Sequence, residues 1–385
     1  MDRRAFLAGT AAVATVSAVS LQGATPAAMK TRWIVRGSEG FDALSFLSPL
    51  SGDPFYLRYH EKEIAEFAPK MPTEAMTTLK ALKQRAEQAN ILLSPFLDLR
   101  FSASTDATID DLLVSASDPD RHILPKFRAS PYWEDGDDDW VEFKAALPAI
   151  VSILRALQGA GFSDFRRRMI EPKLGHLDEL RAKLAGFDPI AGAEFYTGRQ
   201  FDPTIEIVLL QFCKPHGIKV IGQRFLSAVD WPDEVHIRTA GHEILHPPVD
   251  MNGAAAKATL AILEQDPLLQ RIVREHDPKF GYNSIQGIFD EDLTSALDQL
   301  IAERNGVARD PSMRWTEADG GMHVLSAAFY GLMQQDGYAR TGGDLERWLL
   351  RKVESGALAP PSLRSAAAQV LGRPGDRLWP PPAQT

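Results

Sequence analysis

The chain has 385 residues, 44% of them hydrophobic, enough to build one large or two modest globular units with real cores, which excludes a disordered or fibrous protein. Its formal net charge is -9, and lysine and arginine are spread along the chain, so no basic stripe is available to hold a phosphate backbone and nucleic acid is not an expected partner. A single cysteine, Cys213, rules out an intrachain disulfide or a cysteine-based zinc knuckle, so any metal site must be built from His, Asp and Glu.

The N-terminus opens with Asp2-Arg3-Arg4-Ala5-Phe6-Leu7, followed by a weakly apolar run from Ala8 to Val19 and small residues from Ala24 to Ala28. This reads as a cleaved export signal covering residues 1–28, and its paired arginine and diluted apolar run resemble a twin-arginine signal. The resemblance implies a mature protein in the periplasm or outside the cell. No later segment reaches spanning length without charges, so no membrane span is expected after cleavage.

From Lys30 to about Tyr59 the density of Gly, Ser and Pro predicts loops and short extended pieces. Helical spacing then predicts helices over Glu61 to Phe67, Thr73 to Leu93, Asp138 to Leu157 and Phe165 to Leu184. Residues 29–200 are thus a mainly helical region. The acidic stretch Glu134 to Asp139 lacks calcium-loop spacing and is read as a solvated loop entering a helix. His60-Glu61 lacks a second histidine, because Ile64 stands at that position, and is read as surface.

After Phe201 the pattern changes. Thr204 to Phe212 is β-branched and apolar, Lys214-Pro215-His216-Gly217 is a turn, and Ile218 to Phe225 is a second apolar run, which together predict a β-hairpin. Asp230 and Pro232 start a helix running to His246. Further helices are predicted over Gly253 to Leu263, Ile285 to Arg304, Met322 to Gln335 and Leu345 to Glu354, with a Pro-rich extended arm over residues 373–385.

His242-Glu243-Ile244-Leu245-His246 is an H-E-x-x-H pentad, expected by chance in roughly one such chain in a hundred. On a helix, residues four apart share a face, so both imidazoles can take one metal ion while Glu243 stands beside it as general base toward water. Neutral imidazoles suit Zn2+ with one coordination position left open. Pro247 and Pro248 follow directly and must end the helix at or near His246.

A pentad on a helix just after a strand pair resembles the zincin metallopeptidases, over roughly Phe201 to Gln335. The resemblance implies an α+β, mostly helical fold with a zincin-like region over residues 201–372, and a small sheet or hairpin beside the pentad helix. It implies an edge strand holding an extended peptide or protein substrate. Asn252 stands where the metzincin type needs a third histidine, which leaves the gluzincin type, with a glutamate on a later helix. On the helix Ile285 to Arg304 the face opposite the apolar stripe carries Gly287, Glu291, Thr294, Ser295, Asp298 and Ala302, small and hydroxylic around two acids. That face fits close packing on the pentad helix, with Glu291 as third ligand and Asp298 orienting an imidazole.

The superfamily stabilises the oxyanion with a later His or Tyr. His323 and Tyr330 are the candidates, seven apart on one helix face, with Tyr282 in the loop before the Glu291 helix. The expected function is exported zinc-dependent peptide hydrolysis. Its alternatives are hydrolysis of a non-peptide amide or ester and an exported zinc-binding or envelope interaction protein without catalysis.

Overall fold

The computed structural model describes residues 29–89, 91–130, 132–133, 138–277, 280 and 282–381. The predicted export signal over 1–28, most of the acidic stretch and the last four residues of the predicted tail lie outside the described residues. The architecture is α+β and mostly helical, with one four-stranded mixed sheet. Among the described residues no single helix is long and apolar enough to cross a membrane.

The sheet comprises β1 (Arg32–Gly37), β2 (Thr204–Leu210), β3 (Ile218–Val220) and β4 (Arg224–Ala228), in the order β1-β2-β4-β3. The expected hairpin between the two apolar runs does not form. Strand β2 pairs in parallel with β1 on one side, Arg32 opposite Thr204, and with β4 on the other, Glu206 opposite Arg224. Its core-facing residues Ile205, Ile207, Val208, Leu209 and Leu210 are all buried, which marks a central strand covered on both faces. Among the described residues only β3 and β4 form a hairpin, through a three-residue turn in which Gly222 takes φ +83. The chain leaving β2 therefore crosses to the far edge of the sheet before returning beside it.

Two further expectations are corrected. The stretch from Lys30 to Tyr59 keeps one short extended piece, as expected, but is otherwise mostly helix rather than loop. It holds β1, whose Trp33, Ile34 and Val35 are good strand formers, and a helix over Glu39–Leu50 capped by Ser38, which accepts from the Phe41 N–H at 3.0 Å. That helix is buried on every side, so it shows no amphipathic period to read from sequence. The described part of the tail is no free arm, since Leu378 and Trp379 are 1% and 9% exposed and anchor it in the C-terminal core.

The sheet separates the packing. Val208, Leu210, Leu226 and Ala228 join Phe46, Phe67, Phe162, Phe165 and Phe212 under the N-terminal helices, while Ile205 and Phe225 join the core of the C-terminal helices. His60 belongs to the first side. It is 2% exposed with its ring 5.4 Å from that of Phe212, so it is interior rather than surface. The four helices predicted after residue 250 form as Ala254–Leu263, Ile285–Arg304, Val324–Gln335 and Leu345–Glu354, within two residues of their predicted bounds, and Pro267–Glu275, Pro311–Glu317 and Pro360–Leu371 are helices beyond the predicted set.

Candidate metal centre

Strand β4 feeds the pentad helix, Asp233–Glu243, with Asp233 and Glu234 in its first turn where acids suit the helix dipole. Two buried groups dock this helix on the sheet, Ser227 on β4 and His236 on the helix, whose Oγ and Nδ1 lie 2.7 Å apart. Regular helix ends at Glu243. The next turn tightens, with Leu245 N–H donating to the His242 carbonyl at 3.1 Å and His246 N–H to that of Glu243 at 3.3 Å, as the prolines require. The carbonyls left open beyond it take side-chain donors instead. Lys219 of β3 donates to the His246 carbonyl at 2.7 Å and Arg199 to that of Pro247 at 2.9 Å. Burial pulls the Lys219 ammonium down to about 8, against the opposing pull of Glu243.

The second element is the helix Ile285–Arg304, capped by Ser284, whose side-chain oxygen accepts from the Gly287 N–H at 3.0 Å. Its apolar stripe, Phe289, Leu293, Ala296, Leu297 and Leu300, is buried, and its small face meets the pentad helix. Ser295 on that helix accepts from the Trp315 indole N–H at 3.0 Å, both groups being buried. Ser295→Ala leaves that N–H without its partner and is expected to cost about 1–3 kcal/mol of unfolding free energy, read as a lower urea midpoint at unchanged slope.

The two helices bring His242, His246 and Glu291 together, with one ligand atom from each inside a 4.8 Å cluster. The two Nε2 atoms are 3.0 Å apart, and the Glu291 oxygens lie 3.5 Å from each of them. Carboxylates face the opposite ring nitrogens. Asp298 lies 3.7 Å from His242 Nδ1, and Asp290 3.3 Å from His246 Nδ1, with the Thr294 hydroxyl at 3.5 Å from the same atom. Asp298 is itself gripped by Arg314 at 2.5 Å.

This donor set fits a metal cation. Carboxylates at both Nδ1 atoms favour protons there, which leaves two Nε2 lone pairs and a carboxylate pointing at one another. Such groups repel unless a positive charge sits among them. Without a metal that charge is a proton. Burial works against protonation, yet Glu291 and Asp298 hold His242 well above the ordinary histidine range, and Asp290 and Glu291 hold His246 above it. Burial alone would raise the Glu291 carboxyl, but the two imidazoles hold it well below the usual carboxylate range. Glu243 is not among the three converging donors and instead lines a cleft beside His242.

The oxyanion candidates separate. Tyr330 donates to Glu303 at 2.7 Å, three turns past Glu291 or about 18 Å along the helix, and so is not brought to the cluster. His323 is not on the helix with Tyr330 but caps it, buried between Asp292 at 2.6 Å and Asp319 at 3.0 Å. Burial works against its charge, but these acids push it up to about 10, so at neutral pH it is a buried imidazolium. Its ring meets that of Tyr282 at 5.6 Å. Tyr282 is the aromatic beside the ligands. Burial first, then the negative charge of Glu291, raises its phenol, which stays protonated at neutral pH. Its backbone takes φ +58, a left-handed conformation costly for a bulky residue and often found where a side chain is aimed by function.

Asp290, Lys219 and Arg238 are site residues that sequence reasoning did not assign these positions. Asp290 had a signal, as the acid next to Glu291, but the other two depend on which elements pack together. Compared with models of known protein families, with curated proteins and with solved structures, the chain matches none.

Proposed function

We propose that the protein is an exported, zinc-dependent hydrolase of the zincin type, and that its reaction is peptide-bond hydrolysis. The observation that supports it most is the convergence of His242 and His246 with Glu291, 45 residues beyond His246, and with Glu243 on the adjoining cleft wall. Three donors among the described residues, rather than four, favour an open catalytic centre over a closed structural one. Bound there, a divalent ion such as zinc supplies Lewis acidity toward a carbonyl and toward water.

The remaining work falls to the chain. Asp298 and Asp290 hold the imidazoles in the tautomer that turns Nε2 toward the ligand cluster. The Glu243 carboxylate takes a proton from the attacking water and passes it to the leaving amine. Tyr282, a protonated phenol beside Glu291, is a donor for the negative charge that develops on the carbonyl oxygen. Edge strand β3, one rung from the pentad through Lys219, offers main-chain groups to an extended peptide.

The test is hydrolysis of a mixed peptide library by the zinc-loaded protein, followed by mass spectrometry. Cleavage that stops with a chelator and returns with added zinc is the expected result. Cleavage of ester or non-peptide amide probes with no peptide turned over would replace the peptidase reading with the broader hydrolase one.

A further inference from the structure

The cleft beside His242 has a volume of about 360 Å³, and its lining is rich in charge. Arg238, Arg309 and Arg314 face it, with the acids Glu243 and Asp298 and with Trp231 and Thr239. Two of the three guanidinium groups are engaged: Arg314 with Asp298 at 2.5 Å, and Arg309 with Glu317 at 2.6 Å. Arg238 differs. Among the described residues it makes no hydrogen bond and no ion pair, although it is half-buried, repelled by Arg309 and Arg314 and attracted by Asp298 and Glu234 only from beyond ion-pair distance. Burial, then the like charge of Arg309, lowers its guanidinium below the ordinary value.

A planar cation with five donors, partly out of water and unpaired inside a cleft, is a costly arrangement for a free protein. It becomes favourable when an anion enters, above all a carboxylate, which a guanidinium grips with two parallel hydrogen bonds. The position of Arg238 points the same way. Arg238 precedes His242 by four residues, one helical turn, so the two side chains lie on one face and about 6 Å apart along the axis. Extended peptide advances about 3.3 Å per residue. A carboxylate on Arg238 therefore sits within one or two residues of a carbonyl presented at His242, in the cleft that Glu243 also lines.

We propose that Arg238 is a specificity-determining residue that binds a carboxylate of the substrate one or two residues from the scissile bond. Two sources share this chemistry, the C-terminal carboxylate of a peptide and an acidic side chain. The first makes the enzyme a carboxypeptidase, and the second an endopeptidase selective for acidic residues. The proposal rests on the hydrolase reading, so its test needs an arm that does not require turnover.

Three hexapeptides identical except for charge serve as probes: one neutral with a free C-terminus, one neutral with an amidated C-terminus, and one amidated with a glutamate near its C-terminus. In the zinc-loaded wild type, a carboxylate-bearing probe is expected to exceed the neutral amide in kcat/KM by about 10- to 100-fold. The difference lies mainly in KM, since this contact is made equally before and during reaction. In Arg238→Met the ratio is expected to fall to within about twofold, with Arg238→Lys intermediate. The turnover-free arm is calorimetric binding of the same probes to Glu243→Gln, with and without Arg238→Met. Carboxylate-dependent binding that needs Arg238 but no hydrolysis in wild type would uphold the carboxylate site and remove the peptidase reading. Hydrolysis of all three probes at equal efficiency, or a preference that survives Arg238→Met, would overturn the carboxylate site and leave the peptidase reading standing. Loss of the preference for the free C-terminus alone assigns the carboxypeptidase mode, and for the glutamate alone the acid-selective endopeptidase mode.

Discussion

Glu291→Ala is expected to abolish stoichiometric metal binding while leaving a folded protein. The wild type, freed of loose metal by dialysis, is expected to hold about one zinc per chain by elemental analysis. Glu291 reaches the cluster from a different helix than the two histidines, so its removal leaves an i,i+4 imidazole pair in a tightened final turn. Loss of a partner that only orients a ligand costs 10- to 100-fold in affinity. Loss of a ligand costs more, and the expected weakening exceeds 100-fold. His246→Ala removes the other side of the same triangle and is expected to match it. The helix carrying Glu291 keeps its buried stripe in both variants, so their circular dichroism is expected to stay that of the wild type. Full zinc occupancy in Glu291→Ala, or none in the wild type even after adding metal back, would remove the three-ligand centre.

The second large effect is at Glu243. Glu243→Gln keeps shape and size but removes the carboxylate that accepts the water proton, and a drop in kcat of about 10²- to 10⁴-fold is expected. Zinc content is expected not to change, because Glu243 stands outside the three converging donors. The pairing of these two readouts is what discriminates. A fall in both means that Glu243 supports the ligands rather than the reaction, and a fall below tenfold in kcat removes it as general base. A buried neighbour complicates simple truncation. Lys219 takes part of its charge stabilisation from Glu243, which glutamine and alanine both remove, but glutamine alone keeps the side-chain volume beside the Lys219 contact to the His246 carbonyl.

What the sequence made legible follows from distance along the chain. The pentad is a four-residue relation, fixed by helix geometry whatever surrounds it, and both imidazoles do meet. Glu291 was legible because its helix advertises a face too small and hydroxylic for solvent, and that face does pack on the pentad helix. The parallel sheet was not. Its central strand pairs with β1 from far upstream, and no local pattern encodes which strand lies beside which. The buried helix after β1 fails for the opposite reason: apolar on all sides, it carries no period. His323 and Tyr330 show the limit of the helical-face argument. It states which residues share a side of one helix, never what that side meets, and one of the pair proved to be a cap. Arg238 needed the opposite of a motif, a charge whose partner is missing, and only packing reveals that.

The candidate ligand set joins residues 45 apart in the chain, His246 and Glu291, so an ion bound there also acts as a removable cross-link. It closes a loop in the native state that the unfolded chain does not keep, and it binds only where that loop is closed. Folding and metal supply are then one equilibrium. Each tenfold rise in free zinc above its dissociation constant adds about 1.4 kcal/mol of resistance to unfolding. On the proposed function, zinc-poor surroundings would therefore take away the catalyst and part of the durability together.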